Sequence, residues 1–151
     1  MIINISAVEK MPWYTGIPWL TREAIKFLDG YVEQDMTVLE FGAGNSTIWL
    51  SRRTRHLISI EHDPTFYQQV KECLPESDIR LLLPSNYATV CEQFPNENFD
   101  LILVDGHDES RLECFRRSLR ILKRGGIILL DNADRVFYWP MARRPGYDYR
   151  E

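Results

Sequence analysis

The segment that is most informative about the fold of this chain is Val38-Leu39-Glu40-Phe41-Gly42-Ala43-Gly44-Asn45-Ser46-Thr47. A β-rich run, Thr37–Phe41, ends at a glycine and leads into a segment with helical character, 46–53. Two glycines one residue apart permit a tight turn and let a ligand approach the backbone closely. The helix that follows is expected to present N–H groups to an anionic group such as a carboxylate. This pattern predicts a ligand-binding turn, although glycines at this spacing also serve plain strand-to-helix turns.

Strand-type and helix-type segments alternate along the rest of the chain. Further strands are predicted at 57–60, 79–83, Phe99–Val104 and 127–130, and helices after Thr21, Asp63-Pro64 and Asn86 and over 112–122, the last ending at Gly125-Gly126. Such alternation predicts βαβ units and a doubly wound α/β domain with a mainly parallel sheet flanked by helices. Ligands of these sheets bind outside the carboxyl ends of the strands, where the strand order reverses. The residues just after each strand are therefore the candidate site.

Composition restricts the class of protein. The 151 residues, 44% hydrophobic and 26% charged, fit one domain, 1–151, rather than a disordered chain. The net charge of −4 disfavours nucleic acid as a partner, and no apolar run reaches the roughly 20 residues of a membrane span. Cys73, Cys91 and Cys114 are odd in number and widely spaced, which predicts buried reduced thiols. Because the N-terminus also lacks a signal-peptide pattern, a cytoplasmic location is expected.

Two acidic residues flank the glycine turn in the predicted fold. Glu40 precedes the turn, and Glu61 ends the second strand. A carboxylate about 20 residues beyond such a turn is where nucleoside-binding folds accept ribose hydroxyls. Glu61 as a solvated surface acid is the alternative interpretation. Asp63 is interpreted as a helix cap and His62 as an exposed neighbour.

Four segments in order resemble the motifs of class I S-adenosylmethionine (SAM)-dependent methyltransferases, which have a Rossmann-like fold. They are 38–46, Ile-Glu-His-Asp at 60–63, Phe-Asp-Leu-Ile-Leu-Val-Asp-Gly at 99–106, and 122–132. The resemblance extends over residues 21–135. It implies a methyltransferase with SAM as its cofactor.

The resemblance also implies roles for individual residues. Gly42 and Gly44, with Asn45 in the same turn, would cradle the methionine part of SAM. Glu40 would lie near its amino group, and Glu61 would hold the ribose.

The adenine side is less well marked. Ser85 and Asn86 would flank adenine, although many relatives have an acid there and Asn86 alternatively caps the next helix. Asp105, after the fourth strand, is a further candidate for lining the SAM pocket.

A partial resemblance concerns small divalent-metal-dependent O-methyltransferases of the catechol and caffeoyl-coenzyme A kind. These enzymes carry an Asp after the fourth strand and an Asp-Asn after the fifth, as Asp105 and Asp131-Asn132 do here, 26 residues apart. Three such oxygen ligands suit Mg²⁺, which could bind a substrate hydroxyl and lower its pKa. Alternatively, Asp105 lines the SAM pocket and Asp131-Asn132 satisfy loop backbone groups.

The resemblance leaves the catalytic base open. Those enzymes have a lysine three residues after the first Asp, whereas this chain has Asp108. His107 is the candidate substitute because histidine is the residue type that most often serves as a general base and it lies in the same loop. An ordinary loop histidine is the alternative.

The two ends of the chain carry aromatic residues rather than motifs. An irregular lead-in, 1–20, holds the expected anchors Trp13, Tyr14 and Trp19. The tail, 133–151, is too short for the helix and antiparallel strand pair that methyltransferases of this class usually add, so the fold is expected to be C-terminally short. Either the chain is a shortened form or a fragment, or a partner such as a second copy of the chain covers the sheet edge. The tail aromatics, predicted to form a substrate lid or a subunit contact, are Phe137, Tyr138, Trp139, Tyr147 and Tyr149.

The leading functional hypothesis is SAM-dependent O-methylation of a small-molecule or saccharide hydroxyl. A shortened, catalytically weak SAM-fold module that acts through a partner is the alternative. A nicotinamide-dependent oxidoreductase is disfavoured because Thr47 stands where the dinucleotide motif has its third glycine or alanine.

Overall fold

The predicted alternation of strands and helices is present in the computed structural model, which describes residues 2–136. The helices are α1 (Ile5–Val8), α2 (Arg22–Tyr31), α3 (Asn45–Ser51), α4 (Pro64–Cys73), α5 (Pro84–Tyr87) and α6 (Arg111–Ile121). The strands are β1 (Thr37–Phe41), β2 (His56–Glu61), β3 (Asp78–Leu81), β4 (Phe99–Val104) and β5 (Leu122–Leu130). Two short 3₁₀ helices, Ala88–Gln93 and Asp108–Ser110, complete the connections.

The five strands form one parallel sheet in the order β3-β2-β1-β4-β5. This arrangement confirms the prediction of a doubly wound α/β fold. The strand order reverses between β1 and β4, so the carboxyl ends of these two strands define the expected binding position. We call the space outside Phe41 and Val104 the switch-point crevice.

Apolar residues cover both faces of the central strands. On one face Leu39 and Ile102 pack in a buried cluster with residues of α6. On the other face Val38 and Leu101 pack with residues of α2 and α3. The continuous apolar run of β4 is therefore explained by helices on both sides, as predicted.

Two of the predicted helix starts are formed by side-chain caps. The Thr21 hydroxyl accepts a hydrogen bond from the Ala24 N–H at 3.2 Å and begins α2. The Asp63 carboxylate accepts from the N–H groups of Thr65 and Phe66 at 2.7 and 3.0 Å, with Pro64 as the first residue of α4. These bonds, the one from Phe66 first, lower the pKa of Asp63.

The end of α6 and the start of β5 differ from the prediction. The helix ends at Ile121, and β5 begins at once with Leu122 rather than after Gly125-Gly126. Gly125 adopts a φ of +78°, and a Cβ on Gly126 would lie 2.9 Å from the carbonyl oxygen of Asp100. The two glycines therefore serve an irregularity in the strand, between the pairs Phe99–Leu122 and Leu101–Ile127.

The lead-in is partly ordered and is anchored by two of the three expected aromatics. It contains α1, and the Trp13 ring packs against Phe66 with 5.5 Å between centroids. The Trp13 Nε1–H donates to Gln69 Oε1 at 2.6 Å, and the Tyr14 hydroxyl accepts from Arg52. Trp19 is 58% exposed and anchors nothing.

Three further predictions concern the chain as a whole. All three cysteines are buried and free, which confirms the predicted thiols. No helix within residues 2–136 combines the length and apolar character needed to cross a membrane. The tail aromatics Phe137, Tyr138, Trp139, Tyr147 and Tyr149 lie outside the described residues.

Because β4 is packed on both faces, truncating one of its buried side chains should strongly lower the free energy of unfolding. Ile102 is fully buried, so Ile102→Ala should lower the free energy of unfolding by about 2–5 kcal/mol. Leu83→Ala is the matched control, because Leu83 is 69% exposed and its truncation should cost less than about 1 kcal/mol. Urea unfolding followed by circular dichroism measures both, and equal losses would contradict the assigned core.

Candidate functional site

The turn after β1 touches the turn after β4. Gly42 has a φ of +101°, and a Cβ placed on it would lie 2.9 Å from the Cα and N atoms of Gly106. The Gly42 N–H donates to the Ile60 carbonyl at 2.8 Å, and the Asp105 N–H donates to the Phe41 carbonyl at 2.9 Å. Gly42 therefore closes the contact between the two turns, and its role as a cradle for SAM stays a prediction.

Gly44 lies in open space beside this contact. A Cβ at Gly44 would have no heavy atom of residues 2–136 within 4 Å. The three N–H groups of the turn donate within the protein: Gly42 to Ile60, Ala43 to Glu61 at 2.7 Å, and Gly44 to the Thr47 hydroxyl at 2.9 Å. The backbone N–H groups of these three residues are therefore already used within the protein. What the turn offers a ligand is the open space beside Gly44.

Glu40 is a fully buried carboxyl group beneath the turn. Its Oε2 accepts from the hydroxyls of Thr47 and Ser59, each at 2.6 Å. Its Oε1 is buried and receives no well-aligned hydrogen bond from the described residues, although the Ser46 hydroxyl lies near enough to the carboxyl to lower its pKa. Burial raises the pKa of Glu40 to about 7, although neighbouring hydroxyls oppose the shift. Since a buried acceptor without a partner is costly, this oxygen suits a donor brought by a ligand.

Glu61 joins the end of β2 to the turn after β1. It is 4% exposed, so the alternative of a solvated surface acid is wrong. Its oxygens accept from the N–H groups of Ala43, His62 and Asp63, each at 2.7 Å. The His62 Nδ1 lies 2.9 Å from Oε1, at ion-pair distance but outside hydrogen-bond geometry. A carboxylate has about four acceptor positions, so a ribose contact remains available to it.

Asn45 holds the lead-in against the start of α3. Its side-chain amide donates to the Trp13 carbonyl at 2.9 Å, and its Oδ1 accepts from the Thr15 N–H at 2.9 Å. The side chain is thus engaged within the protein, and the cofactor contact of Asn45 stays a prediction.

The predicted adenine residues lie on α5. Ser85 and Asn86 are exposed. Helical structure begins at Pro84, earlier than predicted, and the 3₁₀ helix Ala88–Gln93 follows Asn86. Neither of these helices is capped by Asn86. Tyr87, which the sequence did not single out, is buried and donates from its hydroxyl to the Ile60 carbonyl at 2.8 Å. Its ring lies against Gly106 and leaves no room there for a side chain.

The three predicted metal ligands converge, but on an arginine. Arg111 Nη2 donates to Asp105 Oδ1 at 3.0 Å, and Nη1 donates to Asn132 Oδ1 at 2.8 Å and contacts Asp131 Oδ2 at 3.5 Å. Asp108 Oδ1 lies 3.3 Å from Nη2. We call these four acceptor residues and Arg111 the Arg111 cluster. Burial, followed by the nearby Asp131, raises the pKa of Asp105.

The Arg111 cluster does not fit a divalent metal. Within residues 2–136, no group of three or more His, Cys, Asp or Glu side chains is arranged to hold a metal ion. A guanidinium already contacts all three oxygen-bearing side chains predicted to bind Mg²⁺. Sequence reasoning missed Arg111, although its position offered a signal. A cation in the first turn of a helix opposes the helix dipole and therefore needs a local reason.

His107 contacts other residues than the predicted metal ligands. Its Nδ1 is 3.1 Å from the Ser110 hydroxyl, and its ring meets the His62 ring with 5.0 Å between centroids. The loop after β4 therefore reaches the end of β2, next to Glu61. The assignment of His107 as a base stays a prediction.

Comparison with known families identifies the chain. Residues 39–133, more than half of the sequence, match the family model described as "Methyltransferase domain", and the chain belongs to this family. Catechol O-methyltransferases from Mycobacterium tuberculosis and Niastella koreensis are each 26% identical, over 110 and 113 residues. The match covers 68% of this chain in both cases, and 50% and 51% of the relatives. The chain thus spans about half the length of the curated relatives that it matches.

Solved structures share the fold. An O-methyltransferase from Bacillus cereus in complex with SAH has a TM-score of 0.66 at 22% identity, covering 89% of this chain and 70% of its own. A precorrin 8w decarboxylase from Methanobacterium thermoautotrophicum has a TM-score of 0.67 at 19% identity, covering 98% and 79%. At these identities the likeness shows the Rossmann-like methyltransferase fold.

The two turn glycines should respond differently to alanine. Gly42→Ala places a side chain at positive φ against the Gly106 backbone and should cost about 1–3 kcal/mol of folding free energy. Gly44→Ala, with a φ of 174°, meets open space and should cost less than about 1 kcal/mol. Thermal unfolding of the two variants tests this order, and the reverse order would contradict the turn geometry.

Proposed function

We propose that this domain binds SAM in the switch-point crevice and transfers its methyl group to a hydroxyl of a small molecule or saccharide. The observation that carries the proposal is Glu40 Oε1, a buried carboxylate oxygen that receives no well-aligned hydrogen bond from residues 2–136. The ammonium group of an amino acid is a charged donor that matches it. The Bacillus cereus structure contains SAH, and the curated relatives are catechol O-methyltransferases, which supports this choice of ligand and reaction.

The remaining cofactor contacts follow from the strand ends. The open space over Gly44 admits the methionine part next to Glu40. Glu61 is held rigidly by three N–H groups and has acceptor positions left for ribose hydroxyls. Ser85 and Asn86, exposed on α5 beyond β3, are proposed to border the adenine.

Methyl transfer requires mainly alignment. SAM supplies a methyl group that is already activated on a sulfonium, so the protein has to orient the nucleophile and exclude water. The loop after β4 touches the glycine turn through Gly106, which puts its residues next to the proposed methionine site. We assign the acceptor to this side, with Asp105 orienting its hydroxyl and His107 accepting its proton. Mg²⁺ has no step in this scheme, because Arg111 contacts the side chains that would bind it.

A second candidate is a SAM-fold module with weak catalysis that works through a partner. It is favoured by Arg111, which already contacts the side chains that would hold a catalytic metal. Both candidates require SAM binding, and they differ in turnover.

The pKa of Glu40 predicts that cofactor binding depends on pH. Below pH 7 the buried carboxyl is protonated, and binding of the ammonium must first expel that proton. The affinity for SAH should therefore rise by up to about tenfold per pH unit below pH 7 and level off above it. Titration calorimetry between about pH 5.5 and about pH 8.5, in buffers of different ionisation enthalpy, measures both the affinity and the released proton.

Glu40→Gln is the matched control for this dependence. It should bind SAH weakly and without the pH dependence. Because the folded pKa lies above the ordinary 4.5, wild-type stability falls as the pH rises from about 4.5 to about 7, and the variant should escape this loss. A wild-type affinity that is flat across this range would contradict the assignment of Glu40.

Turnover separates the two candidate functions. The protein is incubated with methyl-labelled SAM and a panel of catechols and monosaccharides, and methyl ethers are detected by mass spectrometry. We expect a methyl ether whose formation is insensitive to a metal chelator. SAH binding without any product would favour the binding module, and absence of SAH binding would contradict both candidates.

A further inference from the structure

We propose that Arg111 is the resident cation of the carboxylates that follow β4 and β5, so that this domain works without a divalent metal at that position. The part of this proposal that concerns methyl transfer without a metal rests on the proposed function. The occupancy of the cluster by Arg111 is a separate claim that can be tested without any methyl acceptor.

The guanidinium is bonded on all three of its nitrogens. Nε donates to the Gly106 carbonyl at 3.0 Å, Nη1 donates to Asn132 Oδ1 at 2.8 Å and the Asp131 carbonyl at 3.3 Å, and Nη2 donates to the carbonyl and carboxylate of Asp105, both at 3.0 Å. Arg111 therefore ties the loop after β4 to the loop after β5. A fixed fork of five N–H donors suits this set of oxygens.

Burial and charge explain why a cation is required there. The Arg111 side chain is 8% exposed, and the side chains of Asp131 and Asp105 are 15% and 24% exposed. Two acidic side chains that are close together and largely shielded from water repel each other, and a buried cation offsets this repulsion. The exposed Asp108 adds further negative charge, which it shares with Arg135 at 2.7 Å.

A metal and Arg111 compete for the same oxygens. Mg²⁺ needs oxygen ligands at about 2.0–2.1 Å in octahedral geometry. The oxygens of Asp105, Asp131 and Asn132 instead surround the guanidinium at 2.8–3.5 Å. Arg111 is also the first residue of α6, so its backbone is fixed beside the site. The cation is thus part of the chain, and a chelator cannot remove it. Arg111 acts as a positioning residue for Asp105.

Manganese binding tests the proposal. Mn²⁺ is titrated into wild type, Arg111→Ala, and Arg111→Ala combined with Asp131→Asn, with free Mn²⁺ measured by electron paramagnetic resonance. We expect no saturable site in wild type. Arg111→Ala should bind one Mn²⁺ with an affinity at least about tenfold above the weakest that the titration detects, equivalent to about 1.4 kcal/mol, and the double variant should lose this site.

Two controls separate this outcome from a general loss of structure. Arg117→Ala removes an arginine of the same helix that pairs with Glu113 and Glu92 at the surface, and it should not gain Mn²⁺. Arg111→Lys keeps the charge and should also exclude Mn²⁺.

If Arg111→Ala does not fold, the wild-type titration still decides. One saturable Mn²⁺ in wild type, abolished by Asp131→Asn, would overturn the proposal. The proposed function fails separately, by absence of SAH binding in wild type.

Discussion

The contact between the backbones of Gly42 and Gly106 is the constraint on which the candidate site depends. It brings the turn after β1 and the loop after β4 into van der Waals contact at the point where the strand order reverses. Tyr87 supports Gly106 from below, bonded to the Ile60 carbonyl of β2. The ends of β1, β2 and β4 are thereby held together, and the residues proposed to bind the ligand lie around this junction.

Electrostatics divide the crevice into two sides. On the β1 and β2 side, Glu40 and Glu61 are buried acids whose oxygens are mostly used by hydroxyls and N–H groups. One oxygen of Glu40 remains for a cationic donor. On the β4 and β5 side, Arg111 offsets part of the negative charge of the acids after the strands. A cationic ligand group is therefore favoured on the first side, while the second side carries its own cation.

Much of the fold followed from the sequence, because each element has a local cause. β-rich and continuously apolar runs indicated the strands, and Thr21 and Asp63 indicated helix starts that the structure contains. The prediction that Gly125-Gly126 ends α6 was wrong, because a glycine pair can end a helix and can also permit an irregularity within a strand. The site was predictable as a set of strand ends. The cation among them was not, because the contacts of Arg111 join residues up to 21 positions apart, and only the folded chain shows them.

A crystal structure of the domain with SAH tests the proposed cofactor site. We expect the SAH amino group within hydrogen-bond distance of Glu40 Oε1, its chain over Gly44, and its ribose hydroxyls at Glu61. Arg111 should remain between Asp105 and Asp131. A ligand whose amino group lies away from Glu40, or one bound at the opposite edge of the sheet, would contradict it.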